Sequence, residues 1–160
     1  MAKGEYPASL DRLAETLDRV HNIIGEPNED RPAWVEALNE PPASFHQKQK
    51  AKVIYFVGCV ASFFPMAKRI PQAFARILDH AGVDFTILGG EEWCCGFPLI
   101  GAGMKEKAET LMQHNWEKVR EKGAEEVVFA CPSCYHTWAE TGRNDVRIFH
   151  STQFIKKLVE

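Results

Sequence analysis

The sequence predicts an α/β fold: a small parallel β-sheet with helices on both faces, preceded by an N-terminal helical arm. Short, nearly continuous apolar runs alternate with helical stretches after residue 51, and 45% of the 160 residues are hydrophobic. Strands that are apolar on both faces and alternate with helices are typical of parallel sheets covered on both sides. An amphipathic stripe before residue 25 indicates the arm.

Residues 1–50 are predicted to form the helical arm and a linker. Apolar residues from Leu10 to Ile24 recur at intervals of three and four residues, so they would lie on one face of a helix. Ser9 is its predicted N-cap, and the helix is predicted to stop at Gly25. A short second helix is expected from Pro32, followed by the linker over residues 39–50. Its inner face would carry Trp34, Val35 and Leu38. The first helix would pack on its own domain or form a docking surface for another subunit.

Residues 51–160 are predicted to form a single domain with Rossmann-like layers. The strands are expected in the segments KVIYFVGC, VDFTILG, EEVVFAC and DVRIFH. Helices are expected between them, over about residues 65–80 and 104–122, after Cys134, and from about Thr152.

The charge and the N-terminal segment exclude several functional classes. With 19 basic and 22 acidic residues the formal net charge is −3, which leaves no basic excess for nucleic acid. The first residues have neither an apolar signal core nor an Arg-rich transit character, and no apolar run approaches the length of a membrane span. We therefore expect a cytoplasmic protein that binds no nucleic acid and meets a membrane only through a partner subunit.

Five cysteines carry the strongest functional signal. An odd number without a secretory signal disfavours a disulfide framework and favours a metal or redox site. The first predicted strand ends at Cys59, the adjacent pair Cys94 and Cys95 lies a few residues beyond the second, and the third ends at Cys131. Parallel strands would therefore bring the cysteines to one edge of the sheet. They are Cys59, Cys94, Cys95, Cys131 and Cys134.

Thiolates in such numbers bind zinc or an iron-sulfur cluster. A structural zinc takes four ligands, so a fifth cysteine favours iron and sulfide. Neighbouring side chains of an extended backbone diverge, and Cys94 and Cys95 would therefore reach two different irons. Zinc held by four of the five, in a structural assembly module without redox chemistry, is the alternative.

Gly96 and Pro132 are the predicted cofactor-binding positions of the backbone. Gly96 would remove a Cβ where the chain passes the cofactor, and Pro132 would stiffen the loop between Cys131 and Cys134. The N-termini of the helices that follow the cysteines would place N–H groups near an anionic cluster.

The segments VGC, EEWCCG and CPSCY, at their spacing in this sequence, resemble the cysteine-rich CCG domain found in the B and D subunits of heterodisulfide reductases. The resemblance covers about residues 51–160 and implies a noncubane [4Fe-4S] cluster bound by all five cysteines. It implies an oxidoreductase component that transfers electrons and reacts with a disulfide or thiol substrate. It also implies partners in a redox complex: a ferredoxin-like or flavin-containing electron donor and a second CCG domain, since relatives of this kind carry two in tandem.

Four further side chains are candidates near this edge. His150 ends the last predicted strand and is the candidate catalytic residue, supplying a proton or a hydrogen bond to sulfide, unless a neighbouring backbone group satisfies it. Tyr135 and His136 would tune the cluster or pack on the loop. Trp93 would shield the site from water or belong to the core.

Overall fold

The structure is a computed structural model that describes residues 7–38, 45–141 and 145–160. Four parallel strands form one sheet in the spatial order β2-β1-β3-β4. They are β1 (Val53–Phe56), β2 (Phe85–Thr86), β3 (Glu126–Phe129) and β4 (Arg147–His150). The predicted α/β class is confirmed. Residues 39–44, part of the predicted linker, lie outside the described residues.

Eight α-helices occur in the described part of the chain. They are α1 (Ala8–Val20), α2 (Ala33–Glu36), α3 (Cys59–Phe63), α4 (Arg69–His80), α5 (Phe97–Gly101), α6 (Lys105–Glu121), α7 (Pro132–Ala139) and α8 (Ser151–Val159).

Three predicted helix boundaries are wrong. The carbonyl of Pro7 accepts the N–H of Leu10 at 2.8 Å, so α1 begins before Ser9 and Pro7 is its N-cap. The helix ends at Val20 instead of continuing to Gly25, because its C-cap residue, His21, takes a left-handed conformation (φ 59°). In addition, α7 begins at Pro132 and not after Cys134, because proline's fixed φ suits the first helical turn.

The topology creates a switch point between β1 and β3. These two strands are neighbours, but β1 leads to β2 on one side and β3 leads to β4 on the other. In open α/β sheets, ligands bind at the carboxyl ends of the strands where the order reverses in this way. The carboxyl ends of β1, β2 and β3 are the ends after which the cysteines follow.

Two hydrophobic clusters cover the two faces of the sheet. Along β1, Ile54 and Phe56 belong to the cluster with α1, α5, α6 and α7, whereas Tyr55 belongs to the cluster with α2, α4 and α8. The arm contributes to both, since Leu17 and Trp34 are fully buried in them. Burying one such side chain contributes about 1.5–3 kcal/mol. The stripe of α1 thus packs on its own domain, and the predicted inner face of α2 is confirmed.

Candidate metal centre

The carboxyl edge of the sheet brings all five cysteines together in a row. Thiol hydrogen-bonding contacts join Cys59 to Cys94, Cys94 to Cys95, Cys95 to Cys134, and Cys134 to Cys131. All five are free thiols; Cys131 is half-buried and the others are buried. Within the described ranges, no set of three or more His, Cys, Asp or Glu side chains surrounds one point as the ligands of a single ion would.

Each cysteine is positioned by the segment that follows a parallel strand. Cys59 is the first residue of α3, and Cys94 and Cys95 lie in the loop between the 3₁₀ turn at Gly89–Glu91 and α5. Cys131 is the N-cap of α7 and Cys134 lies in its first turn. The row therefore crosses the switch point between β1 and β3.

Backbone amides donate hydrogen bonds to four of the five sulfur atoms. The pairs are Ile23 to Cys59, Gly96 to Cys94, Phe97 to Cys95, and both Ser133 and Cys134 to Cys131. An N–H group directed at sulfur favours the thiolate over the thiol. At these four positions the backbone therefore favours negatively charged sulfur, as a metal ligand requires.

The five thiols hold their protons unequally. The contact with Cys134 lowers the pKa of Cys95 and of Cys131 to about 5, whereas Cys134, between those two, has its pKa raised by them. The contact with Cys59 lowers the pKa of Cys94, but Cys95 and burial outweigh it and raise the value to about 12. Cys95 and Cys131 therefore release their protons more readily than Cys94 and Cys134, and a bound metal would displace the remaining protons.

A buried ion pair lies beside Cys59. Arg31 Nη1 donates to Glu92 Oε1 at 2.9 Å, and both side chains are at most 1% exposed. Glu92 also accepts the backbone N–H groups of Val57 at 2.9 Å and Gly58 at 2.8 Å. Burial raises the pKa of Glu92 to about 7 against the opposing effect of Arg31. Burial by itself would lower the pKa of Arg31, but Glu92, Cys59 and Cys94 together outweigh it and raise the pKa, which keeps the guanidinium charged.

Two buried asparagines hold the loop that carries the adjacent cysteines. Asn28, from the arm, donates to the carbonyl of Glu92 at 3.0 Å. Asn115, from α6, accepts the N–H of Trp93 at 2.8 Å and donates to the carbonyls of Trp93 and Cys94 at 3.0 and 3.2 Å. The backbone before and at the first of the two cysteines is therefore fixed from two sides.

An added Cβ would meet a thiol at Gly58, whereas at Gly96 it would meet helix α6. Gly58 has φ +81° and ψ 159°, and a Cβ there would lie 3.3 Å from Cys134 Sγ. At Gly96 (φ +88°) a Cβ would lie 3.2 Å from the Cβ and carbonyl oxygen of Ala108 in α6, so this glycine permits close helix packing. Pro132 is the first residue of α7.

The remaining candidates have defined contacts. Trp93 is stacked between His21 and His114, with ring centroids 3.6 Å apart on both sides. His150 caps α8: its Nδ1 lies 2.9 Å from Thr152 Oγ1. These contacts position side chains around the thiol row without joining it.

Tyr135 and His136 differ although they are adjacent. The Tyr135 ring packs against the main cluster and lies 6.0 Å from the ring of His150. His136 is 65% exposed and lies 3.3 Å from Glu140. Of these two residues, Tyr135 packs on the domain beside His150, whereas His136 points to solvent.

The sequence reasoning missed Arg31, Glu92, Asn115 and Gly58. Two of them have a local signal in hindsight: Gly58 directly precedes a cysteine at a strand end, and Glu92 stands two residues before the adjacent cysteines. Arg31 and Asn115 lie in polar stretches where nothing in the local pattern distinguishes them.

Residues 53–138 match the family described as the cysteine-rich domain, CCG. This match covers more than half of the chain and includes all five cysteines. The chain belongs to the CCG family of cysteine-rich domains. The resemblance found in the sequence is therefore confirmed, and the arm with Arg31 lies outside the matched region.

Several curated relatives are similar over most of this CCG protein. The D subunit of the dihydromethanophenazine:CoB–CoM heterodisulfide reductase of Methanosarcina barkeri is 34% identical over 153 residues, covering 90% of this chain and 36% of the relative. The EtfAB:quinone oxidoreductase of Syntrophomonas wolfei is 28% identical, covering 99% and 23%. A probable iron-sulfur-binding oxidoreductase, FadF, of Bacillus subtilis is 23% identical, covering 100% and 24%.

The chain spans about a third of the length of the heterodisulfide reductase subunits that it matches. No solved structure shows a significant match. Among the described residues, no helix combines the length and the apolar character that crossing a bilayer requires.

Proposed function

We propose that this CCG domain binds a noncubane [4Fe-4S] cluster through Cys59, Cys94, Cys95, Cys131 and Cys134 and serves as an electron-transfer module of a larger redox complex. The observation that carries the proposal is the row of five contacting thiols at the switch point. Five sulfur ligands exceed the four of a tetrahedral zinc site, and ligands spread along a row suit a group of several irons.

The residues around the thiols support this cofactor. The amide N–H groups at four of the sulfurs would stabilise anionic thiolates, and hydrogen bonds to sulfur are among the factors that set the potential of iron-sulfur centres. Gly58 leaves the space beside Cys134 Sγ free of a side chain, and Pro132 opens the helix that carries that cysteine. When bound, such a cluster would supply one-electron transfer.

We further propose a disulfide or thiol substrate and partners within a redox complex. The names of the relatives support this, since one belongs to a heterodisulfide reductase and another is a quinone oxidoreductase. The partners would be a ferredoxin-like or flavin-containing electron donor and a second CCG domain, with the complex in the cytoplasm. His150, which ends β4 and lies against Tyr135, would donate a proton to a thiolate that is released when the disulfide accepts electrons from the cluster. The division into an arm and linker (1–50) and one CCG domain (51–160) is part of the same proposal.

The test is the metal and acid-labile sulfide content of protein prepared without oxygen, together with its electron paramagnetic resonance spectrum. About four irons and four sulfides per chain, with a signal altered by thiols, would support the proposal. About one zinc and no sulfide would contradict it and would indicate a structural zinc module.

Single Cys→Ser variants at the five positions sharpen this test. A cluster that uses every cysteine should lose iron in each of the five variants. A zinc site should tolerate the loss of one cysteine, because four ligands complete its shell. His136→Ala is the matched control, since this side chain is exposed beside the same segment and contacts Glu140 rather than a thiol.

A further inference from the structure

The arm places a fixed positive charge against the thiol row. Arg31 is 1% exposed, and its Nη2 lies 3.6 Å from Cys59 Sγ, to which it donates a hydrogen bond. The arginine comes from the turn between the 3₁₀ helix at Asn28–Asp30 and α2, before the region that matches the CCG family. It reaches the centre through tertiary packing.

The guanidinium is oriented by groups on three sides. Nη1 donates to Glu92 at 2.9 Å, while Nη2 and Nε donate to Asn28 Oδ1 at 3.2 and 3.4 Å. The ring of Phe63, in α3, lies 5.3 Å from Cζ. A guanidinium has donors in a rigid fork and remains charged in proteins, so this arrangement fixes both its position and its charge.

We propose that Arg31 is a positioning residue of the centre, which orients Cys59 and raises the reduction potential of the bound cluster. This inference rests on the proposed function, because it needs a redox-active group on Cys59. Reduction adds negative charge to the cluster, and a positive charge in contact with one of its sulfurs stabilises that reduced state. In a buried site the effect is little screened by solvent or salt.

Glu92 has the opposite effect on the same sulfur. Its carboxylate accepts a hydrogen bond from Nη1 of the guanidinium, whereas Cys59 Sγ lies at Nη2, and it also accepts the N–H groups of Val57 and Gly58. Glu92 therefore holds Arg31 in place while opposing its charge. Removing the positive charge should therefore lower the reduction potential, and removing the negative charge should raise it. A purely structural ion pair would give no such opposite signs.

The experiment is a redox titration of the full chain with its cluster at pH 8, without oxygen and followed by paramagnetic resonance. Iron and sulfide are measured in the same samples. We expect Arg31→Met to lower the ratio of reduced to oxidised cluster about tenfold at the wild-type midpoint, which is about 59 mV for one electron. Glu92→Gln, which retains an amide oxygen to accept a backbone N–H, should shift the ratio in the opposite direction.

Two further variants separate charge from structure. Arg31→Lys keeps the charge without the fork, so it should restore part of the potential lost in Arg31→Met. The double variant Arg31→Met/Glu92→Gln removes both charges and should have a potential close to that of the wild type. Arg147→Met, at the other end of the sheet, removes a cation that pairs with Glu126 and should leave the potential unchanged.

The outcomes distinguish this inference from the proposed function. A wild-type chain that holds zinc and no sulfide would overturn the proposed function, and this inference with it. A wild-type chain with a cluster whose potential is the same in Arg31→Met and Glu92→Gln, or shifts the same way in both, would overturn the inference alone. If Arg31→Met fails to fold, Glu92→Gln still tests the inference, because an unchanged potential in that variant would also refute it.

Discussion

At the carboxyl edge of the sheet, Arg31 and Glu92 are at most 1% exposed, whereas at the amino edge Glu126 pairs with Arg147 and Lys157, whose side chains are 64% and 43% exposed. The exposed cations can be solvated by water, so such pairs contribute about 0–1 kcal/mol. A buried pair must instead offset the desolvation of both charges through hydrogen bonds, as Glu92 does with two backbone N–H groups. The comparison indicates that Arg31 and Glu92, next to the thiols, are buried at a cost in stability that the exposed pairs at the amino edge do not have.

The largest effect is expected from removing the buried carboxylate. Glu92→Ala leaves Arg31 buried without its counter-charge and two backbone N–H groups unsatisfied, so we expect the apo protein to lose about 3–5 kcal/mol of unfolding free energy. Glu126→Ala, the matched change at the amino edge, should cost about 1 kcal/mol because Arg147 and Lys157 become solvated. Anaerobic urea denaturation measures both; equal losses in the two variants would contradict the comparison.

A second contrast concerns side chains that bond to the backbone. Asn115→Ala removes three hydrogen bonds to the cysteine loop and should destabilise the protein by about 2–3 kcal/mol, with loss of iron from the reconstituted centre. Asp84, at the amino edge, accepts the N–H of Lys52 at 3.2 Å but is half exposed. Asp84→Ala should therefore cost about 1 kcal/mol or less and leave iron content unchanged. Iron retained by Asn115→Ala at the wild-type level would show that the loop keeps its position without this clamp.

The two edges of the sheet also differ in the surroundings of their glycines with positive φ. Gly58 has a backbone conformation that is essentially restricted to glycine, and an added Cβ would crowd Cys134 Sγ, so Gly58→Ala should cost about 2 kcal/mol and reduce iron binding. Gly82, before β2 (φ +67°), has nothing within 4 Å of an added Cβ. Gly82→Ala should cost about 1 kcal/mol from the backbone alone and keep full iron content. Similar iron loss in both variants would refute the assigned role of Gly58.

The smallest effect is expected at His150. His150→Ala removes the cap of α8 and should cost about 0.5–1 kcal/mol without loss of iron, as followed by denaturation and metal analysis. If it donates the proton in the proposed function, disulfide reduction should slow in His150→Ala but not in Thr152→Ala, which weakens the same cap while keeping the imidazole. Unchanged reduction rates in both variants would remove His150 from the proposed mechanism.

The order of the apolar runs was enough to predict the sheet, its helical layers and the meeting of the cysteines. Cys59 and Cys131 follow strands that run in the same direction, so any parallel sheet places them at one edge. Ser9 shows where such local reasoning fails. Its side chain suits an N-cap, but the carbonyl of Pro7 already accepts the first helical N–H group before it.

The sequence by itself determined the fold class, the family and the edge at which the five thiols meet, because periodicity and cysteine spacing are local properties of the chain. Only the tertiary structure decided what surrounds them: Arg31 against Cys59, Asn115 against the cysteine loop, and Gly58 against Cys134. Each of these contacts joins segments far apart in sequence. Packing selects which polar side chain is buried with which partner, and no local pattern encodes that choice.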